Sequence, residues 1–333
     1  MSLRLIEIHH KEGKAEEIDF LVKDLPLLET WHDNLASGGS ITKILIKSDN
    51  AETVLDTLES FFSKGEPPRI VILPVEATLP RPEEPEKGKE EKSLGRISTE
   101  ELYQKMLRVS GVSERYIVMA VLASFVASIG LLKNDAAVII GSMVIAPLLG
   151  PNMALSLATA LSDFKLARKA IITNIIGFTI VLSISILMGL FMNVDPTIPQ
   201  IASRSDVSTF YIFIALATGV AGAYSIAVGV AEALVGVMVA VALLPPLAAA
   251  GLLLGAGYWM NATGALLLVL VNVVSINLSG VITFILKGIQ PKNWWEAKSA
   301  NKAVRIAITL WLTLLLILGV IIFFEKQIMT AVR

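Results

Sequence analysis

The sequence predicts an α-helical polytopic membrane protein with about seven spans, preceded by an N-terminal α+β ferredoxin-like (βαββαβ) cytoplasmic domain. Six of the spans are expected to form a 3+3 inverted-topology repeat with two broken helices, plus one extra helix. Three observations predict this. Of 333 residues, 54% are hydrophobic and mean hydropathy is +0.68, more apolar than an ordinary soluble chain. Charge is uneven: residues 1–115 hold most of the acids and many bases, while long later stretches hold none. Finally, two apolar spans carry internal prolines, which remove a backbone donor and should break or kink a helix.

The soluble part covers residues 1–76. Residues 2–8 alternate like a strand and 13–25 have helical spacing. Residues 27–36 and 40–47 read as strands joined around Gly38 and Gly39. A helix follows over AETVLDTLESFFSK, with Ala51, Val54, Leu55, Leu58 and Phe61 or Phe62 on its apolar face, and 69–75 is a last strand. This βαββαβ order suits a small folding or regulatory module. His9 and His10 are strand neighbours pointing to opposite faces, and only His32 remains, so no metal site is expected. Residues 77–97 form a charged Pro/Glu/Lys linker. A juxtamembrane amphipathic helix is expected in 98–112, opened by a Ser98/Glu101 capping box.

The transmembrane domain is 113–333, with spans at about 115–132, 135–161, 166–193, 207–230, 233–256, 261–286 and 304–324. Lys and Arg gather on the side of the N-terminal domain: Lys105, Arg108 and Arg115, then Lys165, Arg168 and Lys169, then Lys287, Lys292, Lys298, Lys302 and Arg305. That side should be cytoplasmic and the C-terminus outside. No apolar segment follows the first charges, so no signal peptide is expected.

The second and fifth spans align at an offset of 95 residues, Gly141 onto Gly236, Met143 onto Met238, Leu148 and Leu149 onto Leu243 and Leu244, and Pro151 onto Pro246. Three spans per copy is an odd number, so the copies enter from opposite faces, as in many secondary transporters. Both proline breaks then fall near mid-depth, about 18–20 Å along their helices. Helix N-termini at such breaks present free N–H groups, which favours an anion or the electronegative part of a polar solute. The expected substrate-binding residues are Ser142, Pro147, Gly150, Pro151, Asn152, Pro245, Pro246, Asn272 and Asn277. Asn174 lies at a similar depth. The polar amides could alternatively hydrogen-bond neighbouring helices. Asp135 and Glu232 open the two proline spans, either as N-caps or as gate or ion-coupling carboxylates.

The segments Ile140-Gly141-Ser142-Met143 through Ala146-Pro147-Leu148 and Pro151, Gly236 through Leu244-Pro245-Pro246-Leu247, and Asn272 to Asn277 resemble the uncharacterised hydrophobic membrane protein family "domain of unknown function 389". The resemblance covers roughly 115–290 and implies a multi-pass protein of a bacterial or archaeal plasma membrane, with no agreed activity. There is no cysteine, and no His, Cys or acid cluster lies within the apolar spans, so an enzyme is not expected, nor a cofactor. No basic patch suggests nucleic acid. The expected function is a transporter, or a transporter-derived channel, for a small anion or polar solute, with possible regulation by the cytoplasmic domain. The alternative is a non-transporting membrane-anchored sensor or scaffold whose cytoplasmic domain binds a metabolite or partner. Expected partners are the solute, the lipid bilayer and further copies of the chain in a homo-oligomer.

Overall fold

The computed structural model describes residues 3–11, 14–35, 38–62, 68–75, 78, 97–229, 232–289 and 297–332, without the side chains of 232–241, 297–301 and 325–332. The expected linker, 77–97, lies almost entirely outside the described residues, as do the side chains of Glu232, Gly236 and Met238. The chain divides into two units, Met1–Leu102 and Tyr103–Arg333.

In the first unit the order is β1 (Leu3–His10), α1 (Ala15–Val22), β2 (Leu27–Leu35), β3 (Gly39–Lys47), α2 (Ala51–Phe62) and β4 (Arg69–Val75). The strands form one sheet in the order β2-β3-β1-β4, with every pair antiparallel. Gly38, at φ +81°, supplies the left-handed residue that turns β2 into β3. Alternation along β1 and β3 sends Ile6, Ile8, Ile44 and Ile46 to one face. There they meet Ile18 and Val22 of α1 and Val54, Leu55, Leu58 and Phe62 of α2. Each fully buried aliphatic side chain contributes about 1.5–3 kcal/mol.

The helix expected after the linker is α3 (Thr99–Val109). Half of its capping box forms: Ser98 Oγ accepts from the Glu101 amide at 3.2 Å. The Glu101 carboxylate does not reach back to the cap. It takes a bidentate pair from Arg4 instead, both contacts at 3.0 Å, because a guanidinium fork offers stronger, charge-assisted donors than one amide.

The second unit is helical: α4 (Glu114–Leu132), α5 (Ala136–Ile145), α6 (Leu149–Leu161), α7 (Phe164–Phe191), α8 (Pro199–Ser205), α9 (Phe210–Val228), α10 (Glu232–Gly255), α11 (Trp259–Leu286) and α12 (Ala297–Val332). Five helices have the length and apolarity to cross a membrane, and α5 with α6 forms a sixth, bent span. Large apolar side chains such as Phe191, Phe210 and Leu286 project outward, more than three-quarters exposed. So broad an apolar surface marks a membrane protein.

One expectation is corrected. The first proline span breaks, but α10 is assigned as one continuous helix through Pro245 and Pro246. The physical reason lies in the site described next. The short helix α8, with Pro199 at its first position, was not foreseen from the sequence.

Candidate functional site

The middle of the membrane unit is built from α6, the second half of α10, and α11. A helix apolar all round belongs inside a bundle, and Leu149, Pro151–Ala158 and Ala160 of α6 and 243–253 of α10 are buried nearly without interruption. Both helices pack against α7 and α11.

Pro147 cannot donate to the carbonyl four residues before it, and it disfavours helical backbone at Ala146. α5 therefore ends at Ile145. Ala146 is extended, with φ −67° and ψ 123°, and α6 starts afresh at Leu149. The two halves are bent by 54°. In α10, Pro246 frees the carbonyl of Ala242 in the same way. Here Asn272 Nδ2, from α11, donates to that carbonyl. The side chain of a neighbouring helix replaces the lost backbone donor, and the helix persists.

Asn152 sits in the first turns of α6, fully buried. Its Nδ2 donates to the Leu148 carbonyl and to Asn174 Oδ1 of α7, both at 2.9 Å. Its Oδ1 accepts from Asn277 Nδ2 of α11 at 3.2 Å. Asn277 also donates to the Val273 carbonyl at 2.9 Å, and its Oδ1 accepts from Ser156 Oγ at 3.1 Å. Four polar side chains on three helices thus form one connected network. Buried amides need such partners, since an unmade hydrogen bond leaves a desolvated group costing about 1–3 kcal/mol.

Two of the close helix crossings in this unit fall at related positions. A Cβ at Gly280 of α11 would meet Ser156 Oγ of α6 at 2.7 Å. A Cβ at Gly251 of α10 would meet Ser185 Cβ of α7 at 2.5 Å and the Leu182 carbonyl at 3.1 Å. The 95-residue offset places Ser156 on Gly251, Ser185 on Gly280 and Leu182 on Asn277. The two crossings therefore use the same positions with serine and glycine interchanged.

The remaining expected site residues are placed as follows. Ser142 is buried and donates to its own helix at the Ile139 carbonyl, 2.6 Å away. Gly150 is half-buried and faces Val109. Pro147 is half-buried, while Pro151, Pro245 and Pro246 are buried. Asp135 caps α5, its Oδ1 accepting from the Ala137 and Val138 amides at 2.9 and 3.2 Å. The position of the Glu232 side chain lies outside the described residues.

Two polar features escaped the sequence reading. Ser156 is silent in sequence, since serine commonly bonds its own helix. Arg204 of α8 is half-buried, with its Nη1 donating to Gln200 Oε1 at 2.8 Å. Among the described residues no carboxylate pairs with it, and burial lowers its pKa from the ordinary arginine value, offset in part by Tyr211. Its signal was a basic residue on the side with few Lys or Arg.

The profile of the family described as "Domain of unknown function (DUF389)" matches residues 143–278, which include both proline segments and the amide network. An uncharacterised protein of Methanocaldococcus jannaschii is 38% identical over 327 residues, covering 98% of this chain and 100% of its own length. The chain belongs to the domain of unknown function 389 family. No solved structure matches it. From Met143 onward, the segments on which the family resemblance rested fall within the matched region.

Proposed function

We propose that the protein is a membrane transporter, or a channel derived from a transporter fold, for a small anion or polar solute. Its site lies between the Pro147–Pro151 segment and Pro245–Pro246. The observation that carries this reading is the buried polar framework at the two proline segments. Asn277 binds Asn152 beside one, and Asn272 binds the Ala242 carbonyl beside the other. An anchor needs no such framework, and polar groups at membrane depth are costly unless they serve a pathway or a packing role.

The exchanged serine–glycine crossings support an inverted repeat of α4–α7 with α9–α11, because a pseudo-two-fold axis would relate them in this way. In this reading the amide network is the closed state, and solute passage requires Asn152 and Asn277 to trade partners. Arg204 favours an anion, as a partly desolvated cation without a carboxylate partner among the described residues. Asp135 serves as a helix cap that could also meet a coupling ion. The strand order β2-β3-β1-β4 supports a ferredoxin-like N-terminal module. We place that module in the cytoplasm and the C-terminus outside, on the Lys and Arg distribution, with the protein in the plasma membrane of a bacterium or archaeon as a homo-oligomer.

The test is electrophysiology on proteoliposomes exposed to jumps of chloride, phosphate, sulfate, acetate and neutral glycerol, the last followed by light scattering. The reading expects a saturable response to at least one. Responses equal to empty liposomes for all five would overturn it.

A further inference from the structure

The N-terminal unit holds a cavity of about 600 Å³ at the end of the sheet where β1 stops and β3 and β4 begin. Lys11, Lys14, Arg69, His9 and His10 line it, and among the described residues no carboxylate does. The topology brings them together. The antiparallel register sets His9 opposite Arg69 and His10 opposite Ser40, while Lys14 stands at the start of α1, just after β1. Basic groups from distant parts of the sequence thus meet at one rim.

In this unit Arg4 pairs with Glu101, Lys43 with Asp33, and His32 with Asp19. At the cavity, among the described residues, neither Lys14 nor Arg69 has a carboxylate partner to neutralise it. Gathered like charges repel, and a cleft focuses their field on whatever enters.

A chain of hydrogen bonds runs from the cavity wall to the surface through Thr42. His10 Nδ1 lies 2.9 Å from the Lys11 carbonyl, and His10 Nε2 lies 2.8 Å from Thr42 Oγ1. Thr42 Oγ1 is 2.9 Å from His32 Nδ1, and His32 Nε2 is 2.9 Å from Asp19 Oδ2. Both ring nitrogens of His10, in the cavity wall, are thus engaged, as are those of His32 beside Asp19. With both ring nitrogens engaged, His10 is held as part of the wall and not as a metal ligand.

We propose that this cavity binds a small phosphorylated metabolite. Lys14 and Arg69 face the phosphate, and Phe62 and Leu35 offer an apolar wall for the organic part. The volume lies in the range of small-molecule sites, about 300–1,000 Å³. A guanidinium with lysine ammonium groups beside it suits a phosphate dianion better than a single carboxylate. The proposal does not rest on transport, since it concerns equilibrium binding to the first unit.

The test uses the purified full-length chain in detergent with inorganic pyrophosphate as the probe, followed by ³¹P line broadening at fixed ionic strength. The expected result is saturable binding at one site per chain, at least tenfold weaker in Lys14→Gln/Arg69→Gln and unchanged in the control Lys133→Gln. The melting transition verifies that each variant is folded; should the double variant melt early, Arg69→Gln alone must still weaken binding several-fold. No saturable binding by the folded wild type, or binding undiminished in the folded variants, overturns the proposal.

Discussion

Pro147 and Pro246 pose the same problem to a helix and meet different answers. Each removes the donor for a carbonyl one turn earlier. At Pro147 the chain stops the helix, extends Ala146 and restarts at Leu149 with a bend of 54°. At Pro246 the helix continues, and Asn272 donates to the Ala242 carbonyl from outside. The difference shows that a proline does not by itself decide between a break and a continuous helix. At Pro246 the continuous helix goes with a neighbour's donor on the freed Ala242 carbonyl.

The comparison can be tested by substitution, beginning with the contacts that hold both proline helices in place. Gly251→Val drives a branched side chain into Ser185 and the Leu182 backbone. It should cost about 3 kcal/mol, near the upper end for overpacking, and appear as a large drop in melting temperature in detergent. Gly280→Val, at the exchanged crossing, should cost a similar amount; a mild effect at one site alone would break the proposed symmetry.

The next effect is the donor itself. Asn272→Leu leaves the Ala242 carbonyl without its side-chain partner and should cost about 2 kcal/mol. Adding Pro246→Ala restores a backbone N–H for that carbonyl, so the double variant should recover about 1 kcal/mol of the loss. A double-mutant cycle with no coupling would remove the explanation for α10's continuity.

Sequence reading found most of the elements but not this answer. Strand alternation and helical periodicity located β1 to β4, α1 and α2, because those signals are local. Asp135 was legible as a cap for the same reason, and it accepts from two amides as a cap should. Asn152, Asn174, Asn272 and Asn277 stood out as polar residues in apolar runs. Their pairing did not, since Asn152 and Asn277 are far apart in sequence and nothing local says which helices will meet. The prolines at 245–246 read as a break like the one at Pro147, and the continuous helix there, met by Asn272 from α11, is visible only in three dimensions. The serine–glycine exchange became visible only once the two crossings were known, although the offset that relates them was present in the sequence.

Smaller effects sharpen the account of the broken span. Asp135→Ala removes the cap of α5 and should cost about 1 kcal/mol, measured by thermal melting. Pro147→Ala permits a helical Ala146 but leaves the α6 network intact. Its cost should stay below about 1 kcal/mol, and the distance between spin labels at the half-buried Val138 and Leu161 should lengthen if the bend relaxes. An unchanged distance would assign the bend to tertiary packing instead of to Pro147.

The central claim is that solute crosses the membrane beside the amide network at the first break. Flux by Asn152→Leu in proteoliposomes tests it most directly, using whichever probe the wild type carries, with the melting transition verifying a folded protein. The account predicts folded protein and flux reduced to the level of empty liposomes. Wild-type flux through folded Asn152→Leu would contradict it.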